Sequence, residues 1–229
     1  MLNNQVFNWS LFILFCALVP ISCVRESSDS VDQDKIYVEH ELFYNANEDK
    51  TYARATFRFS NITGTKLELA DPSTISFNGD ALSWQGVLAY YENDYAGFVD
   101  SGTFSWTDTE GNSFSNTISI NPIAYPSLPD TLRRDGAFDL IWDGAPLGAR
   151  ENVTVTVNGK NEGDLQIFFT DQTNANNIIL DKDKLEQLGQ GEGTIFMDRR
   201  LLPEVGEATS AGAILTGRYR PENAVIIVE

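Results

Sequence analysis

Residues able to do chemistry are present in this chain, but they do not fall into a catalytic spacing. His40 is the single histidine, and strand alternation puts it on one face with Ile36, Val38 and Leu42. That pattern predicts a structural histidine. One imidazole cannot build a multi-histidine metal site, and no Gly-x-Ser-x-Gly elbow accompanies it for a Ser–His–acid triad. The 33 acidic residues could supply a glycosidase pair, which needs two carboxyl groups about 5 to 10 Å apart in a cleft. At that density pairs arise by chance, and none stands out. Calcium asks for several carboxylate and carbonyl oxygens. Asp108, Glu110 and Asn112 in DTEGNS offer them, as does the cluster of Glu92, Asp94 and Asp100. The first set is also the composition of a plain hairpin turn and lacks the length of an EF-hand loop. The expectation is therefore no cofactor, with calcium at Asp108, Glu110 and Asn112 as the metal alternative. The polar run DQTNANN, residues 171–177, reads as an exposed turn.

Residues 84–98, WQGVLAYYENDYAGF, break strict alternation and bunch Trp84, Tyr90, Tyr91 and Tyr95 beside Glu92 and Asp94. Aromatic faces flanked by carboxylates can hold a sugar ring or anchor a protein partner. The same residues fit a sandwich core or its covered edge, which is the preferred reading.

Charge narrows the partners. With 16 basic residues against the acids, the formal net charge is −17, and a surface of that sign repels phosphate backbones. Nucleic acid is excluded as a partner, and the acidity reads first as a solubility device.

The elements that must position these residues are strands. Ala55, Phe57 and Phe59 alternate with Arg54, Thr56, Arg58 and Ser60. The same period of two recurs at Ile75 and Phe77, Phe104 and Trp106, Ile118 and Ile120, then Val153, Val155 and Val157, and Leu165, Ile167 and Phe169. DTEGNS between Trp106 and Ile118 predicts a hairpin, and residues 224–228 predict a fully buried last strand. One short helix is expected at Asp183, as N-cap, through Leu185 and Leu188 to Gly189. NPIAYPSLPDT, residues 121–131, carries three prolines and reads as a semi-rigid linker. The expected architecture is all-β: two antiparallel β-sandwich domains, residues 35–121 and 132–229, joined by a Pro-rich linker at 122–131. A single larger sandwich with a Pro-rich crossover is the alternative.

The first 22 residues carry no Asp, Glu, Lys or Arg, and residues 11–21 are an apolar run interrupted only by Pro20. Such a run is short for a spanning helix and suits a secretory signal. It ends in VPISC, which resembles the lipobox of bacterial lipoproteins, although Pro20 stands where that family usually has Leu. The resemblance implies a signal peptide over 1–22, cleavage before Cys23 and acylation of that cysteine. The only other cysteine is Cys16, inside the signal, so no disulfide is expected. Residues 23–34, with four acids, one base and three serines in VRESSDSVDQD, read as a lipidated cysteine and a disordered acidic tether.

The segments TKLELADPSTISFNGDAL, SGTFSWTDTEGNSFSNTISI and LIWDGAPL resemble uncharacterised bacterial envelope lipoproteins with immunoglobulin-like β-sandwich domains, over most of residues 35–200. The resemblance implies a fold and an envelope address, an outer membrane lipoprotein facing periplasm or cell surface, and assigns no functional residue. Together these readings predict a non-enzymatic, lipid-anchored adhesion, scaffolding or assembly module. Its partners are the membrane through the lipid, and an envelope protein or glycan. The alternative is a carbohydrate-binding module using Trp84, Tyr90, Tyr91 and Tyr95, and a β-sandwich glycosidase is the weaker rival.

Overall fold

The computed structural model describes residues 26–161 and 163–229; the signal segment and Cys23 lie outside them. Strands dominate, as the alternation requires. The first half contains β1 (Glu26–Ser27), β2 (Ile36–Asn45), β3 (Lys50–Phe59), β4 (Lys66–Glu68), β5 (Thr74–Phe77), β6 (Asp80–Ala81), β7 (Ser83–Gln85), β8 (Tyr90–Ala96), β9 (Ser101–Thr107) and β10 (Ser113–Ser119). The second contains β11 (Thr131–Leu132), β12 (Phe138–Ile141), β13 (Glu151–Asn158), β14 (Leu165–Thr170), β15 (Asn177–Leu180), the helix α1 (Lys182–Leu185), β16 (Gly191–Leu201), β17 (Ala213–Arg220) and β18 (Ala224–Val228). The architecture is an all-β sandwich.

One large sheet runs β1-β4-β3-β2-β17-β16-β13-β14, with β8 and β7 continuing from β3, and β18 and β11 from β16. Two smaller sheets, β10-β9-β5-β6 and β12-β15, cover it. Alternation decides which side chains meet between the layers. Val38, Leu42, Ala53, Ala55 and Phe57 face Ile75, Phe77, Phe104, Trp106 and Ile118 in one core. Val153, Val155, Val157, Phe168, Ile195 and Met197 face Leu140, Ile178 and Leu180 in another. Each buried Leu, Ile, Val or Phe contributes about 1.5–3 kcal/mol by leaving water.

Several expectations change. The sheet is mixed rather than purely antiparallel. β17 pairs parallel with β2 along its whole length, Ala213 opposite Val38 and Arg220 opposite Asn45. A strand arriving from so far along the chain needs no hairpin, so direction is free. Gly217 permits its close approach to the covering sheet, since a Cβ there would lie 2.1 Å from the Ser119 carbonyl oxygen. β17 thus places Leu215 in the first core, although it follows the proposed boundary by many residues.

The Pro-rich segment does not stand off as a linker. Ile120 is buried in the first core and Ile123 in the second, so the chain crosses from one to the other at Asn121–Pro122. Tyr125 donates its hydroxyl to the Ile195 carbonyl at 3.1 Å, and Ala124 bridges to Asp143. The crossing is clamped by a buried ion pair: Arg199 Nη2 lies 2.6 Å from Glu151 Oε2, and Asn121 Nδ2 donates to Glu151 Oε1 at 2.6 Å. Arg199 also donates to the Ala145 and Pro146 carbonyls. Burial raises the Glu151 carboxyl, but its bonds from Arg199, Asn121 and the Gly148 amide outweigh that and hold it below the ordinary carboxylate value.

The expected tether is ordered from Glu26 onward. β1 pairs parallel with β4, and two single 3-10 turns follow at Ser28–Ser30 and Gln33–Lys35. Buried Ser28 accepts from the Ala70 amide, and buried Gln33 donates to the Ser28 carbonyl. A few well-placed polar bonds hold a segment whose apolar content alone could not.

Two strand readings also change, one face inverting and one buried strand becoming half-buried. In β14 it is Phe168 that is buried, at 2% exposure, while Leu165, Ile167 and Phe169 face outward. In β18 Ile226 and Val228 are buried, but Val225 and Ile227 are not, so that strand is half-buried. The helix is capped by Asp181, whose side chain accepts from the Lys184 amide, rather than by Asp183; Leu185 and Leu188 are buried as expected.

Candidate functional site

The four aromatics of the Trp84–Tyr95 stretch do not share a surface. β8 pairs with β7 and β3, so Tyr91 and Tyr95 face the core and Tyr90 faces out. Trp84 lies opposite Tyr91 with ring centroids 4.9 Å apart, and Tyr91 sits edge-on to Phe57 at 5.8 Å. The Tyr91 hydroxyl accepts from the Leu69 amide at 2.7 Å. Tyr95 packs on Phe77 at 5.8 Å. Three of the four therefore close the edge of the first core, and only Tyr90 is offered on the outer face.

The candidate calcium residues are likewise accounted for. Asp108 is buried, and its carboxylate accepts from the amides of Glu110 and Asn112 and from Asn112 Nδ2, all at 2.8–2.9 Å. That is a hairpin turn closed by an aspartate between β9 and β10, with the carboxylate turned toward the backbone. Asp94 pairs with Lys50 at 2.6 Å and Glu92 with Arg54 at 2.5 Å. Among the described residues no group of three or more His, Cys, Asp or Glu is placed to hold a metal ion.

What the fold does assemble lies on the outer face of the large sheet. The polar positions of β8, β3, β2, β17 and β16 stand in register. Across them run charges of alternating sign. Arg54 Nε donates to Glu92, its Nη1 reaches Glu41 Oε2 at 3.4 Å, and Arg218 Nε lies 3.6 Å from Glu41 Oε1. Asp198 follows, 3.9 Å from Arg218 and held by Arg220 through two bonds of 3.0 and 2.6 Å. Cross-strand pairs of opposite charge are what in-register strands reward. Phe43 lies beneath, with the Arg218 guanidinium 3.6 Å from its ring centroid, and Arg54 stands 4.6 Å above Tyr52 and 5.6 Å from Tyr90.

At one end this face hollows into a cleft of about 350 Å³, lined by Glu39, Glu41, Arg54, Ile62, Tyr90 and Thr216. Its acids are engaged: Glu39 by Arg58, Glu41 by Arg54 and Arg218. Burial pulls the Arg54 guanidinium down, but the Glu92 hydrogen bond and the charges of Glu41 and Glu92 outweigh it, so it stays protonated above its ordinary value. Burial, then the Glu92 charge, raises the Tyr90 phenol, which remains neutral. The cleft thus presents a neutral phenol ring, fixed cations and fixed carboxylates.

Of the sequence-predicted residues, Tyr90 and Glu92 belong to this face. Glu41, Arg54, Arg218 and Asp198 were missed. The signal for Arg54 was present in the polar half of the alternating β3, but no pattern along the chain announces that β17 and β16 lie beside it. Cys23 lies outside the described residues, and no helix among those residues is long and apolar enough to cross a membrane.

No family model matches the chain, and neither does any curated protein. Several solved structures align with it, among them the following three. One is a 1.5-MDa bacterial ice-binding adhesin studied for host cell surface retention: 10% identity, 85% of this chain, 64% of that one, TM-score 0.24. Another is SGBP-B of the Bacteroides ovatus mixed-linkage glucan utilization locus with a mixed-linkage heptasaccharide: 11% identity, 79% and 53% coverage, TM-score 0.23. The third is the Yersinia pseudotuberculosis adhesin InvE: 16% identity, 86% and 60% coverage, TM-score 0.21. The chain spans between 53% and 64% of the length of these structures.

Proposed function

We propose that this chain is a non-enzymatic, lipid-anchored protein of the bacterial cell envelope that acts as an adhesion or assembly module, with the outer face around Tyr90 as its contact surface. The observation that carries the reading is the state of that cleft. Its carboxylates are each engaged by an arginine, which suits a fixed surface for recognition; a general acid would need its carboxyl free to hold and release a proton. The envelope address rests on the apolar leader and on Cys23.

Carbohydrate is the more specific form of this reading, favoured by one arrangement. The Tyr90 ring is flanked by Glu41, Glu92 and Arg54, the pairing of an aromatic face with polar groups that a sugar ring requires. The test is a glycan array, together with cross-linking in envelope extracts, on the protein and two variants. Tyr90→Ala should abolish retention of the ligand while leaving the thermal melt in place, since the ring packs on no core residue. Trp84→Ala should lower the melting temperature and, below it, leave binding intact. Ligand retention that survives Tyr90→Ala places the contact surface elsewhere, and turnover of any glycan sinks the non-enzymatic reading.

A further inference from the structure

The strands of the first core end together where the chain enters. β3 finishes at Phe59 and turns through residues 60–65 into β4, leaving Ile62 exposed. β8 runs antiparallel to β3, so its leading turn, residues 86–89, lies at the same end. Lys66 Nζ donates to the Leu88 carbonyl at 2.7 Å and ties the two turns together. β1 runs parallel to β4 with Glu26 opposite Leu67. β1 therefore begins on the side of the β3–β4 turn. Cys23 is three residues upstream, a reach of at most about 11 Å.

The turn chemistry here is unusual. Turns favour Gly, Asn, Asp and Ser for backbone and solvation reasons. The β7–β8 turn reads Gly86-Val87-Leu88-Ala89, with Ala89 at a φ of 55°, a conformation that costs a residue bearing a Cβ. Val87 is 96% exposed and Leu88 and Ile62 more than half exposed. Isolated exposed apolar residues are ordinary. Three on two turns tied together beside the entry point are a cluster with a position.

We infer that this end is a membrane-contacting tip: Val87, Leu88 and Ile62 enter the boundary between headgroups and acyl chains of the leaflet that holds the lipid. The inference rests on the reading of Cys23 as the anchor, which brings the two turns within reach of the bilayer. The contact is apolar, because a body of net charge −17 gains nothing from anionic headgroups. It supplies a second attachment beside the acyl chains, and membrane binding strengthens when two signals combine. It also fixes orientation. The cleft, which has Ile62 and Tyr90 in its wall, would open sideways, close to the bilayer surface.

The test separates the tip from the anchor. The chain from residue 23 onward contains both cores; with Cys23→Ser it holds no thiol, and an N-terminal polyhistidine tag can tether it to phosphatidylcholine vesicles containing a nickel-chelating lipid. An environment-sensitive fluorophore is attached to Val87→Cys or, at the far end of the first core, where β17 gives way to β18, to Glu222→Cys. The Val87 label should shift to the blue and be quenched by doxyl-labelled lipid, and the Glu222 label should do neither. A Val87 label quenched no more than the Glu222 label overturns the tip, however the protein is anchored in cells. Metabolic labelling with a fatty acid, on the protein and on Cys23→Ser, decides the anchor separately. Quenching at Val87 without acylation of Cys23 would remove the anchor and leave the tip.

Discussion

His40 shows what burial does to a titratable side chain. It stacks on Phe104 with ring centroids 4.6 Å apart, and neither ring nitrogen has a hydrogen-bond partner. Burial pushes its pKa from 6.5 to about 3, so the ring is neutral in the folded protein. The unfolded chain takes up a proton below pH 6.5 and the folded chain does not. Stability contributed by the neutral ring is therefore full above pH 6.5 and falls as pH drops toward 3, at about 1.4 kcal/mol per pH unit from this group. His40→Leu should flatten that slope in urea titrations between pH 6 and 4. It should also be neutral or stabilising at pH 7, because it removes two unsatisfied buried nitrogens worth about 1–3 kcal/mol each. An unchanged slope would show that the ring is solvated. The structural role of His40 was legible from its spacing in β2. The hairpin at Asp108 and the packing of Tyr91 were legible as the preferred readings; the bonds that fix them, from the Asp108 carboxylate back to its own turn and from the Leu69 amide to the Tyr91 phenol, were not.

At the scale of elements, alternation located the strands well and chose the buried face correctly in most of them. It failed in β14, LQIFFT, where Phe168 shares its face with Gln166 and Thr170, so a period of two points to Leu165, Ile167 and Phe169 as the inward set instead. The neighbouring strand decides: Phe168 lies opposite Val155, whose side chain faces the core. Phe168→Ala should cost about 3–5 kcal/mol by leaving a cavity, whereas Ile167→Thr should stay within about 0.5 kcal/mol. Equal costs in chemical denaturation would mean the register drawn here is wrong. β18 was misjudged for another reason: both of its faces are apolar, and apolar content alone does not show that Val225 and Ile227 stay outside. The Pro-rich crossing was misjudged for a different one, because proline content reports stiffness and says nothing of what Ile123 and Tyr125 find to pack against.

For the whole molecule, the strand that completes the first core is supplied from near the C-terminus. Lys35 and Ser210, 175 residues apart, are hydrogen-bonded at the start of this pairing. No local pattern encodes such a pairing, so the sequence revealed the sandwich class and not the sharing of β17. A chain cut after residue 131 lacks Leu215 and exposes the β2 edge over the eight residues, Val38 to Asn45, that β17 covers. It should show no cooperative unfolding by circular dichroism, and a sharp two-state melt of that fragment would refute the shared-strand architecture. The N-terminal pairing has a mechanical meaning as well. A pull arriving through the chain before Glu26 meets first a two-residue ladder between β1 and β4 and a few side-chain bonds. Peeling residues 26–35 would release roughly 30 Å of slack before the load reached β2, which is held on both edges by β3 and β17 and would be stressed in shear. The docked segment is a coiled leash, giving length under tension while the sandwich behind it stays whole.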